Sequence, residues 1–70
     1  MKKNSRNLDH LIGTLWISKF EYDKKFIKMI IGVDYQGYNS FIVEVLNGPY
    51  AGDTGGVLET DFFNYHKEIK

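Results

Sequence analysis

Between Phe41 and Leu46 the chain alternates strictly, with Phe41, Val43 and Val45 on one face and Ile42, Glu44 and Leu46 on the other. Successive side chains leave opposite faces of a pleated backbone, so period-two patterning in β-branched and aromatic residues marks a half-buried strand. Asn47-Gly48-Pro49 ends the run: Gly48 accepts a positive φ, while Pro49 fixes φ and removes a ladder donor. Gly52, Gly55 and Gly56 then read as a tight loop, with Asp53 and Thr54 suited to a side-chain turn, before Val57 and Leu58 reopen an extended segment. Phe41–Val57 is therefore expected to be a hairpin with a long, shaped loop.

The same stretch, Val43-x-Val45-x-x-Gly48-Pro49-Tyr50-Ala51-Gly52-x-x-Gly55-x-Val57, resembles the KOW motif of ribosomal proteins and transcription elongation factors. The resemblance covers residues 43–57. It implies a strand, a glycine turn and a strand inside a small SH3-like barrel, and contact with RNA or a polymerase-associated protein. The loop here carries Asp53 where that family tends to carry Lys or Arg, so the likeness bears on the barrel more than on RNA.

The remaining chain reads as further strands around this hairpin. Met1–Arg6 is polar and basic, and residues 1–7 are expected to be a flexible terminus. Leu8, Leu11, Ile12, Leu15, Trp16 and Phe20 fit helical spacing, but Gly13-Thr14 interrupts them and Leu15-Trp16-Ile17 favours strand. We expect a turn or short helix to about Leu11, capped by Ser5 or Asn7, then a strand over Ile12–Phe20 with Trp16 in the core. Glu21–Lys25 reads as a charged hairpin turn. Phe26–Val33 follows as a strand, with Ile27, Met29, Ile31 and Val33 on one face and Phe26, Lys28 and Ile30 on the other. Gly32 marks a bulge or close backbone approach. Asp34–Ser40 is a polar turn displaying Tyr35 and Tyr38. At the end, Thr60 suits an N-cap, Asp61 suits the helix dipole, and Phe62, Tyr65, His66 and Ile69 share a helical face. The expected fold is mainly β: one SH3-like domain over residues 1–70, a small barrel of four to five antiparallel strands plugged by a short C-terminal helix.

At 70 residues the chain buries only about 60% of its unfolded surface and is marginally stable on its own. It has no cysteine, hence no disulfide and no cysteine-ligated zinc, so its aromatic core or self-association must stabilise it. No apolar leader follows the N-terminal lysines and no run approaches the length of a membrane span, so a soluble cytoplasmic protein is expected. Net charge is zero, yet residues 1–28 hold seven bases against three acids, whereas residues 29–66 hold five acids and no Lys or Arg.

Catalysis is not expected. Nucleophilic chemistry needs a nucleophile, a base and an orienting group, and Ser5, Ser18 and Ser40 stand in no such context. His10 and His66, with Asp9 or Asp61, match no metal-ligand spacing, and no cofactor or metal is expected. The glycine-rich loop lacks the Gly-Lys-Ser/Thr ending and following helix of a phosphate loop, and Asp53 would repel an anion.

What remains is binding. Exposed tyrosines supply amphipathic contact area at low entropic cost, so Tyr35, Tyr38, Tyr50 and Asp53 are the candidate residues for engaging a protein partner. Size and absence of chemistry point to a regulator or inhibitor of a kind that phages encode. Two alternatives stay open. Lys19, Lys24, Lys25 and Lys28 would serve a KOW-like RNA- or DNA-binding protein. Opposite-signed halves would serve a homo-oligomer that sequesters a small anionic ligand such as a nucleotide at its junctions.

Overall fold

The computed structural model describes residues 7–20 and 26–70. Five antiparallel strands form one sheet: β1 (Leu15–Ser18), β2 (Ile27–Asp34), β3 (Ser40–Val45), β4 (Thr54–Leu58) and β5 (His66–Glu68). A 3-10 turn (Asp9–Leu11) precedes β1, and one helix, α1 (Glu59–Tyr65), joins β4 to β5. The strand order is β4-β3-β2-β1-β5, a four-strand meander whose first strand takes the last as its other neighbour. Mainly β, five antiparallel strands and a short C-terminal helix are as the sequence predicts. The sheet is open, with β4 and β5 as its edges.

Those edges nevertheless approach each other. Flat, they would stand four strand spacings apart, roughly 19 Å. The seven residues of α1 rise only about 10 Å, so a helix that begins at one edge and ends at the other requires a strongly curled sheet. The expected bulge supplies part of the curl: the β2–β3 register slips between Ile30 and Gly32. The slip also corrects the predicted face of β2. Ile31 is left outward and 37% exposed, while Val33 comes opposite Phe41 and packs against the core.

The core fills the inner face and α1 covers it. Trp16, Ile30, Phe41, Val43, Phe62 and Leu8 are buried. Phe62 sits edge-on to Trp16 (centroids 5.0 Å apart) and to Phe41 (5.3 Å), arrangements that add electrostatic attraction to the burial of ring area. Trp16 is the core aromatic predicted, and its indole N–H donates to Thr14 Oγ1 at 2.7 Å.

Several boundaries differ from the sequence reading. The turn ending at Leu11 is present, with the Asp9 N–H donating to Asn7 Oδ1, but the strand expected over Ile12–Phe20 is confined to Leu15–Ser18. Gly13 breaks it, at φ 95° with its N–H donating to the Ile30 carbonyl. Strand β4 begins at Thr54, so Gly55 and Gly56 belong to the strand and not to the loop. Helix α1 starts at Glu59 without a side-chain cap, which corrects Thr60 as N-cap. The Glu59 N–H instead donates to the Asn39 carbonyl in the β2–β3 turn. The predicted helical face Phe62, Tyr65, His66 and Ile69 is also corrected: the helix stops at Tyr65, and His66 is extended at φ −134° and enters β5. Pairing with β1 outcompetes a longer helix there, with the Lys19 N–H on the Tyr65 carbonyl and the Ile69 N–H on the Leu15 carbonyl. Glu21–Lys25, read as a hairpin turn, and the basic terminus Met1–Arg6 lie outside the described residues.

Candidate functional site

Strand direction decides which candidate residues can act together. The β2–β3 turn carries Tyr35 and Tyr38, while the β3–β4 loop at the other end of those strands carries Tyr50 and Asp53. Six residues of β3 separate the two ends, roughly 20 Å of extended chain. The three tyrosines therefore do not form one surface.

Tyr35 is a clamp. Its hydroxyl accepts from the Leu8 N–H at 2.8 Å and donates to Asp9 Oδ1 at 2.8 Å, fastening the segment before the 3-10 turn onto the β2–β3 turn. Burial at that junction and the neighbouring Asp9 carboxylate raise its pKa above the usual 10.0. Tyr38 is 79% exposed beside Leu58 and Glu59.

Tyr50 and Asp53 stand where the inner face opens. Tyr50 is 60% exposed and meets the Phe26 ring edge-on at 6.2 Å. The loop behind them is set by glycines: Gly48 has φ 82°, and a Cβ there would come within 2.7 Å of the Phe26 ring. Gly52, at φ 95°, donates its N–H to the Val45 carbonyl. These bonds hold Asp53 at the entry to β4, where Phe26, Lys28, Val45, Tyr50 and Asp53 line a shallow depression.

That depression continues into a groove of about 240 Å³ along the inner side of β4. Val43, Val45 and Val57 form its floor, Phe62 and His66 its far wall, and Gly55 stands at its β4 side. The groove is the gap left between the two sheet edges. Its floor is apolar for a register reason: Val43 lies opposite Gly55 and Phe41 opposite Val57, all on the core side of the sheet. Gly55 adds no side chain, so nothing fills the space above Val43.

One polar pair closes the groove. His66 is 9% exposed and stacks on Phe62 at 4.4 Å and 13°. Its Nδ1 lies 3.2 Å from the Phe62 carbonyl and its Nε2 lies 3.0 Å from Lys28 Nζ. The carbonyl can only accept and the ammonium can only donate, so the neutral ring carries its proton on Nδ1. Lys28 thus points to the inner face, opposite Trp16 and Val45 in register, and not to an outer basic surface. Of the predicted basic set, Lys19 is exposed beside Lys67 and Ile17, whereas Lys24 and Lys25 lie outside the described residues. Lys19 and Lys28 therefore do not form one patch.

The arrangement offers apolar contact and main-chain groups more readily than reactive chemistry. Among the described residues no three His, Cys, Asp or Glu side chains converge on a metal-sized space, and no helix is long and apolar enough to cross a membrane. The floor and wall of the groove escaped sequence reasoning. Gly55 was the available signal, a glycine following Thr54 in a stretch that resumes extended character. No protein-family model matches the chain, and no curated protein or solved structure matches it significantly.

Proposed function

We propose that the chain is a non-enzymatic protein-binding module whose contact surface is the groove beside β4 together with its rim of Tyr50 and Asp53. One observation carries the reading: an apolar cavity of about 240 Å³ opens to solvent at a sheet edge. Its mouth is marked by an aromatic residue that is 60% exposed. Apolar pockets bordered by a tyrosine and a polar rim are what partner anchors seek. Tyr35, engaged as a clamp, and Tyr38 both sit in the β2–β3 turn at the other end of the strands from Tyr50. Tyr50 and Asp53 are the sequence candidates that the reading keeps.

The test is co-purification from cells of the source organism, with nuclease treatment, using the wild-type chain and Tyr50→Ala. Tyr50 is 60% exposed and, among the described residues, its ring meets Phe26 edge-on, so its removal is expected to leave the fold intact, as circular dichroism would show. A protein retained by the wild type after nuclease and lost with Tyr50→Ala supports the module. Retention that disappears with nuclease would instead favour a nucleic-acid binder using Lys19 and Lys67, although two lysines supply few phosphate contacts. Equal retention by both chains would remove the groove from the interface.

A further inference from the structure

We infer that the partner enters this site as an extended segment added to β4, uncharged and apolar at alternate positions and basic at both ends. The inference rests on the protein-binding reading and specifies its chemistry.

The first support is the state of the edge. Among the described residues β4 pairs only with β3. The Val45 N–H donates to the Asp53 carbonyl and the Glu59 N–H to the Asn39 carbonyl, which fixes the alternation of the ladder at both ends. Residues 53, 55, 57 and 59 face β3, so the N–H and C=O groups of Thr54 and Gly56 and the N–H of Leu58 face outward, while the Leu58 carbonyl opens α1 as its N-cap. Exposed edges are usually guarded by lysine, proline or an inward charge. Thr54–Leu58 holds none of these.

The second support is the pair of glycines. Neither Gly55 nor Gly56 has a positive φ. A Cβ on Gly55 would meet nothing within 4 Å, and one on Gly56 would meet only Ile42 Cδ1 at 3.8 Å and the Phe41 carbonyl at 4.0 Å. Neither turn geometry nor packing within the chain requires glycine, yet each weakens a strand relative to a residue with a side chain. A bare backbone is useful where another backbone must come close. Strand addition needs such an approach, with main-chain bonds giving affinity and alternate side chains reaching pockets. Here the alternate side chains would meet Val43, Val57 and Phe62.

Charge then selects the occupant. Asp53 is exposed at one end of β4, and Glu59 and Asp61 follow the other end; Lys28, which shares the groove with Asp53, directs its Nζ to His66 Nε2 at 3.0 Å. A second copy pairing β4 to β4 in antiparallel register, centred on Gly56, would set Asp53 opposite Glu59 twice. Like charges across a strand pair are destabilising, so self-pairing is disfavoured. Lys or Arg at the ends of a partner segment would complement the same rim.

The probe is a fluorescein-labelled peptide of alternating valine and threonine with lysine at both ends, compared with one ending in glutamate. Fluorescence anisotropy on the full chain is expected to show the lysine-ended peptide binding about tenfold more tightly, a difference of two weak charge contacts. Amide exchange at Thr54, Gly56 and Leu58 is expected to slow on binding. Gly56→Pro removes one outward donor without touching the β3 ladder and is expected to weaken binding about tenfold. Gly55→Val keeps every donor and fills the groove; it is expected to weaken binding likewise and serves as the test should the proline variant fail to fold. No binding of the lysine-ended peptide up to millimolar concentration overturns the inference, as does equal binding of both peptides or unchanged exchange along β4. A cellular partner retained equally by wild type, Gly55→Val and Gly56→Pro but lost with Tyr50→Ala would overturn strand addition while leaving the binding module in place.

Discussion

The two edges of the sheet are made of opposite materials. Strand β5 is three residues long and reads His-Lys-Glu. Its His66 N–H is already given to the Phe62 carbonyl, and the His66 ring is stacked on Phe62 and engaged with Lys28. The Lys70–Glu68 pair beside it, at 3.8 Å and largely exposed, adds little. Strand β4 is five residues long, uncharged, and holds two glycines. Both strands are paired through the backbone, β5 to β1 and β4 to β3; β5 is further secured by the His66 side chain, whereas β4 adds Val57 against the core and two residues with no side chain. The comparison teaches that a small sheet can close one edge by brevity and charge while leaving the other available, and that the available edge is the one with two glycines at its middle.

The largest effect should come from the element that bridges both edges. Phe62 is fully buried against Trp16, Phe41 and His66. Phe62→Ala should cost about 3–5 kcal/mol, enough to unfold much of a chain this small. Urea denaturation followed by Trp16 fluorescence measures it; a loss below about 1 kcal/mol would show that α1 does not hold the curl. His66→Ala acts on one edge only, removing the ring stack and the bonds of both ring nitrogens. About 2 kcal/mol is expected, with faster amide exchange at Ile69, whose N–H bonds to β1, and unchanged exchange at Gly55 and Val57 of β4. Equal loosening of both strands would show that the edges are not independent.

Gly55→Val should sharpen the contrast in the other direction. The added side chain enters open space, so the variant should gain about 0.5–1 kcal/mol and melt a few degrees higher. A destabilised variant would mean that the glycine serves the fold. The smallest effect should lie away from both edges. Because the folded-state pKa of Tyr35 is raised, its protonated clamp contributes fully below the unfolded value near 10 and is lost as pH rises through the higher folded value. Wild-type stability should fall on that alkaline limb and Tyr35→Phe should flatten it, with β4 and β5 exchange unaltered; identical alkaline limbs would remove the clamp.

How much of this was legible in the sequence follows from what leaves a period. β3 was readable because Phe41, Val43 and Val45 alternate with residues of the other face, and Gly32 correctly signalled the bulge in β2. Val33 was placed on the wrong face because a bulge shifts every later residue and a strict alternation does not anticipate where. β4 was read late because Gly55 and Gly56 carry no pattern and resemble turn residues. β5 was hidden because His66 and Ile69 also satisfy helical spacing after Phe62, and only pairing with β1 decides between the two. At the site, Tyr50 and Asp53 were legible as loop residues. The groove was not, since its walls come from β2, β3, β4, α1 and β5 and exist only once the sheet curls. Lys28 looked like surface charge until its register placed it opposite Trp16.

The two partners of β1 also set an order of events. Trp16 pairs with Lys28 on one side and with Glu68 on the other. Closing the second, longer loop costs about 1.3 kcal/mol more chain entropy than closing the first, and distant contacts form slowly. The meander should therefore assemble early and the C-terminal strand dock last. Since His66 is a wall of the groove, the proposed recognition would wait for that final step: a chain halted before it would display its open strand without the groove proposed to select what pairs with it.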